Sequence, residues 1–275
     1  MSTTIRIADL NVNRLGFGAM RVLGDPDIWG PPRDPANAKK VVRRAYELGV
    51  NFFDTAESYG PHTNEMVIAE AMHPYPKDLV IGTKCGLVRP RPSRWDEDAR
   101  PEKLRQDLEG SLKRLKLDCL HLWQLHAPDP KVPLEESLGA MVDAQRAGKV
   151  RHIGVSNFNL KQLERARKVA NIVSVQNRYS LGDRSAEPVL KECEKLGIAF
   201  LPWYPLGDGS ALKLSRVRKV AEKLKATPAQ VAIAWLLAKS PVMLPIPGTG
   251  KVAHLEENVA AAKLKLSKED LAALD

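Results

Sequence analysis

Gly49-Val50-Asn51-Phe52-Phe53-Asp54-Thr55-Ala56-Glu57-Ser58-Tyr59-Gly60 is the stretch on which the reading of the fold turns. Leu48-Gly49 stops a helix, and the short apolar run behind it reads as the end of a buried strand. Asp54 stands where that strand leaves the core. A carboxylate there needs a cation or hydrogen-bond donors, because burying it alone is too costly. Tyr59 follows in a loop that Gly60-Pro61 turns away. Taken alone, the pair reads as a strand-end cap beside an exposed tyrosine. Two further strand ends, at Lys84 and His126, change that reading.

Upstream, Ile5-Arg6-Ile7 and Val12 suggest a small hairpin around Asp9 to Asn11, and Arg14 to Gly18 a first strand. Asp34-Pro35 is a helix start, an N-cap followed by proline at the first helical position. Ala38, Val41, Val42, Ala45 and Leu48 share one helical face. Downstream, Leu79 to Lys84 is strand-like, and a polar loop runs from Gly86 to Arg100. Pro101 opens a helix with Leu104, Leu108, Leu112 and Leu115 on one side. Cys119 to Gln124 is a strand leading to His126, and Val150 to Val155 a strand ending in Ser156-Asn157. Asn159 with Gln162 forms a capping box. Ile172 to Gln176 and Ile198 to Trp203 are strands around a helix over 187–196. Thr227-Pro228-Ala229-Gln230 caps a later helix. Val242 to Ile246 is the last strand, and short helices at 255–262 and after Ser267 end the chain.

Strand and helix alternate about eight times, which implies a parallel sheet. Eight units in 275 residues suit a closed (β/α)8 TIM barrel with a short N-terminal hairpin. No linker or composition break divides residues 1–275, so one barrel domain is expected.

With 44% hydrophobic and 27% charged residues, the chain can bury a sizeable core. The net charge of +9 favours anionic ligands, phosphorylated cofactors among them. Its Lys and Arg are scattered among acids, and aromatic content is 5%, which argues against a nucleic-acid groove. The densest basic run, Arg89 to Arg94, and Glu57 in the Tyr59 loop both read as solvated charge. Cys85, Cys119 and Cys193 are too far apart for a disulfide framework and suggest a reducing compartment. Met1 to Ile7 has no signal-peptide core, and the longest apolar run, Val231 to Ala238, is too short to span a membrane. A cytoplasmic protein without membrane partners, a monomer or weak oligomer, is expected. Cys119, His121 and His126 suggest a metal at first sight, but strand alternation makes a packed Cys and His the better reading, and no metal is expected.

In a barrel of this kind the active site lies at the carboxyl ends of the strands. Those ends carry Gly18-Ala19-Met20, Asp54 with Tyr59, Lys84, Gln124 to His126, Ser156-Asn157, Gln176-Asn177, Trp203-Tyr204 and Gly248-Thr249. A neutral phenol is a weak acid with a pKa near 10. An ammonium beside it favours the phenolate and makes Tyr59 a better proton donor to a developing alkoxide. Lys84 can supply that ammonium, Asp54 can hold it charged, and His126 can polarise the same carbonyl oxygen. The four suit reduction of a C=O group with a hydride from a nicotinamide.

These motifs resemble the aldo-keto reductase family, from about Arg14 to Leu274. They are the stretch at 49–60, Thr83-Lys84, Leu125-His126, Gly148 to Asn157, Gln176-Asn177, and Ile246 to Thr249 with Glu257-Asn258. The resemblance implies Tyr59 as general acid, Lys84 and Asp54 tuning it, and His126 orienting the carbonyl. Ser156, Asn157 and Gln176 would then meet the nicotinamide carboxamide. Trp203, with Tyr204 as the alternative, would stack on its ring ahead of Pro205-Leu206. The dinucleotide would lie across the barrel mouth, past Gly18, Ala19 and Met20, with its adenosine end near Gly248, Thr249, Lys251, His254, Glu257 and Asn258. A Rossmann fingerprint is absent, since Gly16-Phe17-Gly18 lacks the third glycine. Much of the family clamps the 2′-phosphate with Lys and Arg where this chain has Gly248 and His254. NADPH is still expected, with Lys251 and the Gly-Thr-Gly turn taking part of the clamp, and NADH is the alternative. Met20, Trp29, Trp95 and Trp123 are the expected substrate contacts. With the chain stopping at Asp275, a more open pocket is expected than in relatives with a long carboxy-terminal loop. The segments 12–20 and 29–34 are similar to a bacterial branch that includes pyridoxal reductases, so pyridoxal or another small aldehyde is the expected substrate. Two rival readings are a catalytically weak nucleotide-sensing barrel and a Schiff-base lyase using Lys84.

Overall fold

Seven parallel strands form the main sheet of the computed structural model, which describes residues 3–24 and 26–275. Met1 and Ser2, within the stretch read for a leader, and Asp25, between Gly24 and Pro26, lie outside the described residues. A hairpin of β1 (Thr4–Ile7) and β2 (Leu10–Asn13) comes first. The sheet then takes β3 (Phe17–Gly18), β4 (Phe52–Asp54) and β5 (Val80–Cys85). A short loop hairpin, β6 (Leu87–Val88) with β7 (Asp96–Glu97), interrupts it. The remaining strands are β8 (Leu120–Leu125), β9 (Val150–Ser156), β10 (Ile172–Arg178) and β11 (Ala199–Trp203). Neighbours in the sheet follow chain order, with a helix between most successive pairs, as a right-handed barrel requires.

The barrel is closed by the segment 242–247. Phe200 N donates to Val242 O and Leu244 N donates to Phe200 O on one side. On the other, Gly16 N and Gly18 N donate to Pro245 O and Pro247 O. Sequence reading predicts a strand here. The segment makes only an isolated bridge, Phe200 with Met243, because Pro245 and Pro247 have no N–H to give a ladder. The two glycines opposite are needed for the close approach: a Cβ on Gly18 would sit 2.6 Å from Ile246 O, and one on Gly248 would sit 2.6 Å from Gly18 O.

Helix ends behave as local chemistry dictates. Asp34 accepts from Asn37 N and Pro35 opens α1 (Pro35–Glu47). Capping boxes at Asn159 and Gln162, at Thr227 and Gln230, and at Ser267 and Asp270 start three later helices. Strand parity then sorts the faces. Phe52 points into the barrel with Val80, Leu122, Leu201 and Leu244, while Phe53 and Ile81 point out to the helices. Ile5, Ile7, Leu10 and Val12 of the hairpin join the inner cluster and close the amino-terminal end. Among the described residues no helix is long and apolar enough to cross a membrane, and no group of three or more His, Cys, Asp or Glu is placed to hold a metal.

Candidate active site

The parity that sends Phe52 inward sends Asp54 inward two residues later, and that of Gly82 does the same for Lys84. The two meet at the carboxyl end of the barrel. Lys84 Nζ donates to Asp54 Oδ2 at 2.8 Å, to Thr55 O at 2.8 Å and lies 3.3 Å from Tyr59 Oη. Lys84 is fully buried and Asp54 is 3% exposed. A pair this deep stands only because each charge has its partners; removing one would leave the other buried and unpaired. Gln176, inward on β10, donates from Nε2 to the remaining Asp54 oxygen at 2.8 Å.

Tyr59 is held by its loop: Thr55 N bonds Gly82 O, Glu57 N bonds Lys84 O, and Gly60 pairs with the backbone of Ile28 and Gly30. Burial is the largest influence on its phenol and raises it above the ordinary range; Lys84 pulls it down and Asp54 pushes it up again. The sequence argument weighed the ammonium alone. The net effect of the buried setting is the reverse, a phenol that keeps its proton at neutral pH. Burial also opposes the charge on Lys84, but Asp54 and Tyr59 outweigh it and the ammonium is held above its usual value. His126 is pushed well below its usual value by burial first and by Lys84 second, so its imidazole is neutral. Its ring lies edge to face with Tyr59, centroids 5.9 Å apart, and its Nδ1 is 3.4 Å from Ser58 Oγ.

A cavity of about 430 Å³ opens above these groups. It is lined by Asp54, Tyr59 and His126 at its base and by Gly18, Met20, Trp95, Ser156, Asn157, Gln176, Trp203, Tyr204, Pro205, Leu206 and Gly248 around it. The side chains expected to meet a nicotinamide are tied to one another: Asn157 donates to His126 O at 2.9 Å, Trp203 Nε1 donates to Asn157 Oδ1 at 3.0 Å, and Ser156 Oγ donates to Gln176 O at 2.8 Å. Trp203 and Tyr204 lie edge to face, 5.0 Å apart. Lys251 and His254 are exposed at the start of the helix Val252–Ala260, which has no acid in its first turn and no side-chain cap. Such an end presents free backbone N–H groups to an anion. Thr249 Oγ1 accepts from Lys251 N, Asn258 is buried, and Glu257 accepts from Thr227 Oγ1. Ala19 is buried, its carbonyl held by Asn64.

Four expectations need correction. Trp123 is 1% exposed and sits in the outer core, because Leu122 and Gln124 on either side take the inward positions. Trp29 does not line the cavity; its backbone bridges to Gly60 and its ring lies under Arg89. Arg89 itself is buried rather than solvated. So is Glu57, 4% exposed, which lies near Lys103, Asp107 and His62. Its carboxyl is pushed from 4.5 up to about 7 by burial first and by Asp107 next, against Lys103. Sequence reading did not single out Asp208, Gly209, Ile246 and Pro247 on the cavity wall, which also carries Arg21 and Leu87 from the loops after the first and third strands of the main sheet. Arg21 and Asp208 pair at 2.8 Å across its rim. The pairing itself was not legible, since Asp208 lies in a separate turn beyond β11.

Comparison with known proteins gives the family and the fold. Residues 14–275 match the model of the Aldo/keto reductase family. An uncharacterized oxidoreductase of Schizosaccharomyces pombe is 45% identical over 99% of this chain and 89% of its own length. Pyridoxine 4-dehydrogenase of Escherichia coli is 43% identical over 100% of this chain and 98% of its own. The structure of a glycerol dehydrogenase from Gluconobacter oxydans superposes with a TM-score of 0.90 at 27% identity, covering 99% of this chain and 94% of that one. An aldo-keto reductase from Klebsiella pneumoniae in complex with NADPH superposes at 0.86 with 25% identity, covering 100% and 94%. The chain belongs to the aldo/keto reductase family, and its fold is the (β/α)8 barrel of that family of oxidoreductases.

Proposed function

We propose that this protein is an NADPH-dependent carbonyl reductase of one barrel domain, which converts an aldehyde or ketone to an alcohol with Tyr59 as the general acid. The observation that carries this is the buried Asp54–Lys84–Tyr59 chain ending at the floor of the cavity. The residues present fit a nicotinamide dinucleotide: an indole and a phenol flank the cavity, side-chain amides ring its base, and an uncapped helix start lies beyond Gly248. When bound, the reduced nicotinamide supplies the hydride that adds to the carbonyl carbon.

Tyr59 Oη gives its proton to the carbonyl oxygen, which completes the alcohol and leaves a phenolate. Lys84 stands 3.3 Å from that oxygen and steadies the charge as it forms. Asp54 keeps Lys84 charged and fixed. Neutral His126 turns Nδ1 to the Ser58 hydroxyl, which leaves Nε2 for the carbonyl oxygen. The Schiff-base alternative is disfavoured by the same contacts, because a nucleophilic amine must shed its proton and this one is held charged by three partners.

Pyridoxal is the substrate we propose, with other small aldehydes next, on the likeness to the relative named pyridoxine 4-dehydrogenase. The test is an aldehyde panel that includes pyridoxal, followed by NADPH absorbance and repeated with NADH. No turnover of any aldehyde with either nucleotide, alongside tight nucleotide binding, would favour a sensing barrel instead.

A further inference from the structure

Arg89 begins the basic run that sequence reading placed in solvent, yet it is 7% exposed and lies against the wall of the cavity. Its guanidinium carbon sits 3.7 Å from the centre of the Trp95 ring. From there Nε donates to Arg94 O at 3.0 Å, Nη1 to Ile28 O at 3.2 Å and Nη2 to Asp27 O at 2.7 Å. Ile28 O also accepts from Gly60 N, the residue after Tyr59. A single side chain thus joins the loop after β3, the turn after Tyr59 and the loop after β5. Ser93 Oγ adds a second tie to Asp27.

Trp95 is what this joint holds. Its ring stands edge to face with Tyr59 at 6.1 Å and with His126 at 6.3 Å, so it borders the two groups that would meet a carbonyl. The loop that carries it, residues 86–100, is anchored at its ends, where Gly86 N donates to Asp107 and Ala99 N to Asp129; between them its regular structure is the two-residue strands β6 and β7, and the residues at 90–94 are exposed. The edge contacts with Tyr59 and His126 leave the face of the indole to be held by what stacks on it. A planar guanidinium stacks on that face and donates to several carbonyls at once; an ammonium is attracted to the ring but has no such planar fork.

We propose that Arg89 is a specificity-determining positioning residue, which locks the Trp95 indole as a fixed wall and restricts the cavity to flat, single-ring aldehydes. This rests on the reductase reading above. Trp95 and Met20 both line the cavity whose base carries Tyr59 and His126. With the indole fixed, a ring whose carbonyl is on those two groups lies beside it, and a second fused ring is the part of an aldehyde that meets it.

The test compares wild type, Arg89→Ala, Arg89→Lys, Trp95→Ala and the Arg89/Trp95 double variant on propanal, benzaldehyde and naphthaldehyde with NADPH. The ratio of kcat/KM for naphthaldehyde to that for benzaldehyde rises about tenfold in Arg89→Ala and at least as much in Trp95→Ala. The double variant goes no further than Trp95→Ala, because the two act as one unit. Arg89→Lys follows Arg89→Ala, and carries the test if the alanine variant does not fold. In Arg89→Ala and Arg89→Lys, propanal, which has no ring to meet the indole face, keeps its kcat within about threefold. An unchanged ratio in folded Arg89 variants, or additive effects, overturns the proposal. The second readout is the fluorine NMR resonance of fluorotryptophan-labelled Trp95, which shifts or broadens on loss of Arg89; an unchanged resonance also overturns it. If wild type reduces none of the three aldehydes, the reductase reading fails, and the resonance alone decides whether the lock exists.

Discussion

The two mouths of the barrel are made from the same strands and end in opposite chemistry. At the amino-terminal mouth, Ile5, Ile7, Leu10 and Val12 of the hairpin pack onto Phe52, Val80, Leu122 and Leu201, and the opening is filled by apolar side chains. Asp9 in the hairpin turn pairs with Arg151 and His152 and pins the plug at its rim. At the carboxyl mouth the inward positions of the same strands are Asp54, Lys84 and Gln176, hydrogen-bonded to each other below an open cavity. One end is held by area removed from water, which tolerates no gap. The other is held by satisfied polar groups, and it keeps room for a ligand. The contrast teaches where substitutions should act: below the middle of the barrel on stability alone, above it on rate, with stability affected too where a buried charge loses its partner.

The sharpest break comes at the carboxyl mouth. Tyr59→Phe removes the proton donor but keeps the ring against Trp95 and His126, and kcat for aldehyde reduction should fall by about a thousandfold or more. Nucleotide affinity, read by fluorescence titration, should stay within about twofold. A wild-type rate in this variant would exclude Tyr59 as the acid.

At the opposite mouth, Ile7→Ala opens a gap in the plug. It should cost about 2–4 kcal/mol in denaturant unfolding and leave kcat of the folded enzyme unchanged. If kcat fell in step with stability, the two mouths would not be independent.

Glu57 sharpens the comparison because it is a buried charge behind the active loop rather than in it. Asp107, Glu65, Lys103, Arg114 and His62 surround it, and its Oε2 makes no hydrogen bond among the described residues. A carboxyl raised by folding binds its proton more tightly in the native state than in the unfolded chain. It therefore favours the fold at acid pH, and that advantage is lost as pH rises from 4.5 through about 7. Glu57→Gln should flatten this part of the pH–stability curve and gain about 2 kcal/mol relative to wild type on going from pH ~5 to pH ~8. The check is urea unfolding at both values; an equal difference at each would mean that Glu57 titrates normally.

The smallest effect should be that of Ser58→Ala. It removes the hydroxyl beside His126 Nδ1, lowers kcat about fivefold and costs about 1 kcal/mol of stability, because the buried ring nitrogen loses its long hydrogen bond. Nitrogen NMR of the imidazole should show the tautomer population moving; a fixed tautomer would show that Ser58 has no part in orienting the ring.

The sequence by itself determined the alternation of strands and helices, the helix starts at Asp34, Asn159, Thr227 and Ser267, and the polar residues near the ends of the strands, the segment 242–247 excepted, which makes a single bridge in place of a strand. These are local matters, written in period, cap and parity. The barrel assignment brought Asp54 and Lys84 together as strand ends before any contact was known. Trp123 is the counter-case, a strand residue expected at the substrate whose parity turns it outward to the core. What only the tertiary structure decided is the fate of charges and the balance of fields. Glu57 and Arg89 read as solvent-facing because their partners, Lys103 and Asp107 or the carbonyls of Asp27 and Ile28, lie on other elements. Whether a charge is buried depends on who meets it, and a chain read in order does not bring those partners together. The same holds for Tyr59: a lysine at the next strand end implied an easier phenol, and only the depth of burial turned the balance toward a phenol that keeps its proton.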